Sequence, residues 1–130
     1  MANELTISAS LNFTDSLTGK TFVKSVEDLV KSVSTKKPVN IVQNIATSEE
    51  ALDLGDVATL GYVLFLNWDS TNFVSIRLTG TGGANTIRVD CADANGTPGV
   101  ALFRCGSGVT APFAIADTAA VDLEMLLIPA

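Results

Sequence analysis

The sequence predicts an all-β protein: an antiparallel β-sandwich of about eight strands, with the connectivity of a jelly roll. Residues 5–13 alternate strictly between apolar and polar side chains, as in a strand with one buried face. From residue 60 onward, runs of strand length follow one another at short spacing, separated by residues that turn the backbone. No Pro- or Ser-rich linker interrupts the chain, so residues 1–130 are expected to form a single β-sandwich domain.

The elements between the first strand and residue 60 have mixed signals. Residues 21–34 place apolar side chains at helical spacing, but Thr, Val and Ser dominate and no helix cap is evident, which favours a strand. Pro38 ends this element, and residues 39–46 are predicted as the next strand. Residues 47–50, Thr-Ser-Glu-Glu, have the pattern of a capping box, but the turn residues at 53–56 leave room for at most one helical turn.

The rest of the chain has the pattern of successive antiparallel strands. The strand-length runs are residues 60–67, 73–79, 86–92, 99–105 and 121–128. The segments between them, rich in Gly, Asn, Asp and Ser, include residues 69–72, 80–83, 95–99 and 106–108. The Gly-rich segment 80–83 lacks the Lys-Ser/Thr of a phosphate-binding loop and leads into a strand, so we interpret it as a hairpin loop.

The composition argues against several classes of function. There is no His, which removes the commonest general base and the commonest neutral metal ligand. The net charge is −6 and no basic stripe is present, so nucleic-acid binding is not expected. The N-terminus lacks the pattern of a secretory signal, and no apolar run approaches the length of a membrane span, so neither secretion nor membrane contact is expected.

The charges are unevenly distributed along the chain. Residues 1–40 contain five Lys and four acidic residues, a net charge of +1. Residues 41–130 contain three Arg and ten acidic residues, a net charge of −7. This asymmetry indicates a separate partner surface in the first third of the chain, and Lys20 and Lys24 are our candidates for it.

The sequence contains only weak candidates for a metal site or a disulfide. Asp90, Asp93 and Asn95 resemble part of an acidic calcium loop, but the ligand order of an EF-hand is missing and turn formation explains them equally well. If this segment is the turn of a hairpin, Cys91 and Cys105 lie several residues out of register. We therefore expect two thiols that act as small buried apolar groups.

Paired carboxylates such as Asp53 and Asp56, or Glu49 and Glu50, could be offered as a catalytic pair. Closeness in sequence does not set the separation in space that such chemistry needs, and loops of acidic proteins carry these pairs routinely. We predict no enzyme, no catalytic residue, no metal and no cofactor.

The three Arg residues all lie within predicted strands. Arg77 and Arg88 share their strand faces with polar residues, which indicates a solvated sheet face. Arg104 shares its face with Val100 and Leu102, on a strand that is apolar on both faces. Such a strand is either central or covered by another subunit, where Arg is enriched. The alternative is an Arg that extends into solvent at a sheet edge.

Four segments carry a distinctive series of turns and strands. They are LDLGDV at 52–57, GYVLFLNWDSTNFV at 61–74, GVALFR at 99–104 and ADTAAVDLE at 116–124. In these segments the chain resembles small virion structural proteins of tailed bacteriophages. The resemblance implies a β-sandwich that coats or glues a phage particle, as in a trimeric capsid decoration protein.

Together these observations lead us to expect a non-enzymatic phage virion protein, a capsid decoration or cement protein that stabilises the head. It would bind the lattice of the major capsid protein as a homotrimer, in a virion assembled in the bacterial cytoplasm. Residues 1–20 would supply an N-terminal arm or strand for the lattice, and Arg104, Lys20, Lys24 and Trp68 are the candidate interface residues. The alternative is a carbohydrate- or receptor-binding domain of a phage tail or head fibre, for which Trp68 is the residue to test.

Overall fold

The computed structural model describes residues 3–33, 37–78, 86–106 and 109–130. All regular elements in these ranges are β-strands, and all strand pairs are antiparallel. The predicted all-β, antiparallel class is therefore confirmed. The chain forms two compact units, residues 1–35 and residues 36–130. In the described ranges, no helix has the length and apolarity needed to cross a membrane.

The first unit is a β-hairpin of β1 (Asn3–Thr14) and β2 (Thr21–Val33). Its strands pair with each other in a sheet of their own, from Thr14 opposite Thr21 to Asn3 opposite Val33. A bulge opposite Ile7 and Ala9 shifts the register. The prediction of a strand over residues 21–34 is thus confirmed for residues 21–33, and residue 34 lies outside the described residues. The segment 1–20 contributes the other strand, β1, of this hairpin.

The hairpin loop is closed by Asp15. One carboxylate oxygen of Asp15 accepts a hydrogen bond from the N–H of Leu17 (2.9 Å) and the other accepts one from the hydroxyl of Thr18. These two donors, Thr18 first, lower the pKa of the Asp15 carboxyl. Gly19 follows with a φ of 68°, a conformation in which glycine has no steric penalty.

In its described residues, the second unit contains eight strands in two four-stranded sheets. The strands are β3 (Val39–Ile45), β4 (Glu50–Ala51), β5 (Leu60–Asn67), β6 (Val74–Arg77), β7 (Thr86–Val89), β8 (Gly99–Arg104), β9 (Phe113–Ala116) and β10 (Val121–Pro129). The strand order is β3-β10-β5-β8 in the first sheet and β4-β9-β6-β7 in the second.

Both sheets of the second unit contribute to one hydrophobic core. In β10 the alternate residues Leu123, Met125 and Leu127 are fully buried, and Phe65 of β5 lies beside them in the same sheet. The second sheet adds Val74, Ile76, Val89, Ala114 and Ala116. Each large side chain that is fully buried contributes about 1.5–3 kcal/mol. Buried residues therefore recur at every second position of these strands, because one face of each strand packs on the core.

The helical turn suggested by the capping-box pattern at 47–50 is wrong. Residues Glu50–Ala51 form the short strand β4, which pairs with β9. The Glu50 carboxylate accepts hydrogen bonds from Gln43 Nε2 (3.0 Å) and from the N–H of Ala46 (3.2 Å). These contacts with β3 and with the residue that follows it replace the contacts that a helix cap would make.

The hairpin assumed around Asn95 is also wrong. β7 pairs with β6 in one sheet and β8 pairs with β5 in the other, so the segment between β7 and β8 crosses from sheet to sheet. Cys91 and Cys105 are therefore not on paired strands; both thiols are free, Cys91 half-buried and Cys105 buried. Burial raises the pKa of the Cys105 thiol.

Residues 80–83, interpreted from the sequence as a hairpin loop, lie outside the described residues. The strands on either side of them, β6 and β7, pair antiparallel with Arg77 opposite Thr86.

Candidate interaction surfaces

One face of the sheet β3-β10-β5-β8 points away from the core, and we call it the outer face. Its members alternate with the core residues along each strand: Asn40, Val42, Asn44, Asp122, Glu124, Leu126, Ile128, Tyr62, Leu64, Leu66, Val100, Leu102 and Arg104. Val42 and Val100, at the two sides of this face, are 61% and 58% exposed. The centre of the outer face is apolar and carboxylates lie toward one end of it.

Arg104 lies at the other end of the outer face. It is exposed on β8, directly opposite Tyr62 of β5. β8 is the last strand in the order of its sheet, so Arg104 has the sheet-edge position that the sequence left as the alternative. Val100 and Leu102 share its face and are also exposed, which leaves an apolar strip beside the Arg104 guanidinium.

Trp68 lies where the chain leaves β5, at the opposite end of that strand from Tyr62 and Arg104. The indole is exposed, and its Nε1–H donates a hydrogen bond to a Glu124 carboxylate oxygen (3.0 Å). Trp68 and Arg104 are therefore not brought together. The contact with Glu124 joins residues 56 positions apart, and no local sequence pattern indicates it.

An open cleft of about 280 Å³ lies beside Trp68. Asn44, Asp69, Ala120 and Asp122 line it together with the indole. The amide of Asn44 donates a hydrogen bond to an Asp122 carboxylate oxygen (2.8 Å) across two paired strands. The cleft combines an aromatic surface with amide and carboxylate groups, the chemistry that can bind a polyhydroxylated ligand.

The turn that carries Trp68 is held by a hydrogen-bond network. Asn67 is fully buried; its Nδ2 donates to the carbonyl of Asn72 (2.9 Å) and its Oδ1 accepts from the N–H of Asp69 (2.9 Å). One oxygen of Asp69 accepts from the N–H groups of Asn72 (2.6 Å) and Thr71 (2.8 Å). These donors lower the pKa of the Asp69 carboxyl, the Asn72 N–H having the larger effect.

The low pKa of Asp69 predicts a specific dependence of stability on pH. The charged carboxylate is stabilised in the folded state above the unfolded-state pKa of about 4, and this contribution is lost as the pH falls through the lower folded-state pKa. We expect Asp69→Asn to lower the stability at pH 7 by about 1 kcal/mol. The loss should be smaller at about pH 2, because the wild-type carboxylate gives up its stabilising charge as the pH falls toward and through the lowered folded-state pKa. Thermal melts at both pH values measure this. Asp56→Asn, on an exposed loop residue, is the control, and an equal loss at both pH values would contradict the assignment.

The acidic residues that resembled a calcium loop make turn contacts. Asp93 accepts hydrogen bonds from the N–H groups of Asn95 (2.9 Å) and Thr97 (2.8 Å), and Asp90 forms an ion pair with Arg88 (3.1 Å). Those contacts lower the pKa of both carboxyls, through Thr97 first for Asp93 and Arg88 first for Asp90. In the described part of the chain, no three or more Cys, Asp or Glu side chains are grouped as metal ligands.

The two other Arg residues make contacts within the second unit. Arg88 is exposed, and its guanidinium lies 3.7 Å from the ring centre of Phe73. Arg77 is half-buried and forms an ion pair with Glu49, a contact between positions 28 apart. Arg88 therefore has the solvated position that the sequence predicts, and Arg77 is more enclosed than predicted.

The hairpin has one face made almost entirely of apolar side chains, which we call the hairpin face. Its positions are Leu5, Ile7, Ala9, Leu11 and Phe13 of β1, with Lys31, Leu29, Val26, Lys24 and Phe22 opposite them on β2. The rings of Phe13 and Phe22 are 6.3 Å apart, and a shallow groove of about 450 Å³ runs beside them. Lys24 lies on this face opposite Leu11, whereas Lys20 lies in the loop next to the exposed Leu17.

No family model, no curated protein and no solved structure matches the chain.

Proposed function

We propose that the protein is a non-enzymatic structural protein of a phage virion, a capsid decoration or cement protein that stabilises the head. The observation that carries this proposal is the pair of extended apolar strand surfaces, the hairpin face and the outer face, on which Leu11, Phe13, Val42, Val100 and Leu102 are exposed. Large exposed apolar patches mark contacts with other proteins. The choice of a phage particle comes from the sequence. Its resemblance to phage virion proteins covers residues 52–57, 61–74, 99–104 and 116–124.

We also propose that the second unit is a jelly-roll sandwich. When its strands are counted from one (β3) to eight (β10), the sheet orders are 1-8-3-6 and 2-7-4-5. This is the strand order of an eight-stranded jelly roll, an architecture found in viral capsid proteins and in lectins. The strand order supports the assignment, and both candidate functions are compatible with it.

The proposed partner is the lattice of the major capsid protein, with no nucleic acid and no membrane involved, and the proposed assembly is a homotrimer in the virion. The tip of the hairpin suits the lattice contact. Leu17 at this tip is 95% exposed and Lys20 follows it, so an apolar anchor lies beside a positive charge.

Co-sedimentation with heads of the encoding phage, stripped of this protein, tests the proposal. Wild type is expected to pellet with the heads, and Lys20→Glu to bind about fivefold more weakly because a charge pair at the rim is replaced by repulsion. Lys37→Glu, an exposed charge reversal outside the hairpin, is the matched control. Absence of wild-type protein from the pellet would contradict the proposal.

The alternative is a carbohydrate-binding domain of a tail or head fibre, and the cleft beside Trp68 is the observation that favours it. An exposed indole next to Asn44, Asp69 and Asp122 could stack on a sugar ring and bind its hydroxyl groups. A glycan array separates the two functions. Specific binding that Trp68→Ala abolishes, without co-sedimentation, would favour the fibre domain; no glycan binding with co-sedimentation would favour the capsid protein.

A further inference from the structure

The hairpin face has no cover within the described residues of its own unit. Leu11 and Phe13 are 78% and 63% exposed, and all the hairpin side chains that are described are exposed or half-buried. An isolated two-stranded hairpin is marginally stable in water, and long apolar strands that remain exposed promote association. The hairpin therefore requires a surface against which its apolar face can pack.

The outer face of the second unit also carries exposed apolar side chains. Paired residues form apolar rows across β10, β5 and β8, such as Leu126, Leu64 and Leu102. Leu102 and Val100 are exposed at the edge strand, and Val42 is exposed on the other side of the sheet. One chain thus carries two apolar strand faces, one on each unit.

The hairpin face and one end of the outer face carry charges of opposite sign. Lys24 lies on the hairpin face opposite Leu11, and the register also pairs Leu5 of this face with Lys31. Asp122 and Glu124 lie together at one end of the outer face, and Arg104 is at the far end. Contact between two hairpin faces would bring Lys24 toward another Lys24, whereas contact between a hairpin face and an outer face can pair Lys24 with a carboxylate.

The two faces have similar areas, although the hairpin is longer and narrower than the outer face. A hairpin of about 11 paired positions is about 37 Å long and, with its side chains, about 10 Å wide, which gives roughly 400 Å². Four strands over about six residues give about 19 by 20 Å, again roughly 400 Å². Each contact would bury at most about 400 Å² on each copy, about half the size of a standard interface, and the three contacts of a closed ring would together bury at most about 2,400 Å².

We propose that the hairpin face of one copy docks on the outer face of a second copy, with Lys24 directed toward Glu124 and Asp122. Such a contact joins two different surfaces, so it closes into a ring when the rotation between copies permits. Three copies, each donating one hairpin and receiving one, form that ring. The inference rests on the homotrimer of the proposed function and names the surfaces that would form it.

Sedimentation velocity of the purified full-length protein at about 10 µM tests this proposal. Wild type is expected to be a trimer. Leu11→Glu on the hairpin face and Leu102→Glu on the outer face are each expected to weaken association at least 30-fold, because each places a charge in the centre of the contact. Asn12→Glu, on the opposite face of β1, and Thr110→Glu, exposed elsewhere in the second unit, are matched controls that should remain trimeric. Circular dichroism verifies that each variant is folded.

A charge-reversal series provides a second arm with milder substitutions. Lys24→Glu and Glu124→Lys are each expected to weaken association about fivefold, and the double variant K24E/E124K is expected to recover most of it. A wild-type monomer or dimer would overturn the ring. If Leu11→Glu loses association and Leu102→Glu does not, the outer face is not the surface on which the hairpin face docks. This experiment contains no phage heads. A trimer that does not bind heads in the co-sedimentation experiment would therefore contradict the capsid function but not the contact between hairpin face and outer face.

Discussion

Replacement of Asn67 by leucine is expected to lower the free energy of unfolding by about 3 kcal/mol, although the two side chains are similar in size. Asn67 is fully buried at the end of β5 and bonds to the carbonyl of Asn72 and the N–H of Asp69. Leucine would leave both backbone groups without these partners, and each unsatisfied buried group costs about 1–3 kcal/mol. The gain in apolar burial offsets only part of this cost.

Urea unfolding followed by the fluorescence of Trp68, the single Trp of the chain, measures this change directly. The same substitution at Asn40, an exposed residue of β3, is the control and should change stability by less than about 0.5 kcal/mol. Because Asn67 positions the turn that carries Trp68, the native fluorescence of the Asn67→Leu variant should also shift. Equal stability of Asn67→Leu and wild type would show that the network is dispensable.

The strands of this protein could be predicted because the alternation of apolar and polar residues that marks a strand lies within the strand itself. Residues 5–13 alternate, and β1 is observed over Asn3–Thr14. In β10 the same alternation places Leu123, Met125 and Leu127 in the core. A face that packs on a core must repeat every second residue, so the pattern is present in the sequence whatever the strand pairs with.

The pairing of strands could not be predicted in the same way. β7 and β8 are neighbours in sequence and looked like a hairpin, yet they belong to different sheets. The segment between them contains a turn at Asp93 to Thr97, and a local turn is compatible either with a hairpin or with a crossing between sheets. The choice depends on which strands cover the core, and this information is spread over the whole chain.

The candidate surfaces illustrate the same limit. Trp68 was selected from the sequence as the single Trp in a turn, but its partner Glu124 and the cleft residues Asn44 and Asp122 come from β10 and β3. Lys24 was selected for its charge, whereas the structure places it among apolar side chains. Residue type thus identified single positions, and the antiparallel register determined their neighbours.

Gly99→Ala is expected to lower the free energy of unfolding by about 3 kcal/mol, at the upper end of the range for overpacking. Gly99 begins β8, where the chain has just crossed from one sheet to the other. A Cβ atom at this position would overlap the carbonyl oxygen of Asp90 and lie 2.7 Å from its carbonyl carbon. Both groups belong to the backbone, so a side-chain rotation cannot relieve the overlap.

The expected loss follows from the way the two sheets are joined. For an alanine to fit, the segment after β7 must move away from β8, and this would disturb the pairing of Gly99 with Asn67 at the end of β5. Gly106→Ala is the matched control, because a Cβ atom at Gly106 meets no atom within 4 Å and should leave the urea midpoint nearly unchanged. If Gly99→Ala unfolds at the midpoint of wild type, the close approach at Asp90 does not exist in solution, and the crossing between the sheets must follow another path.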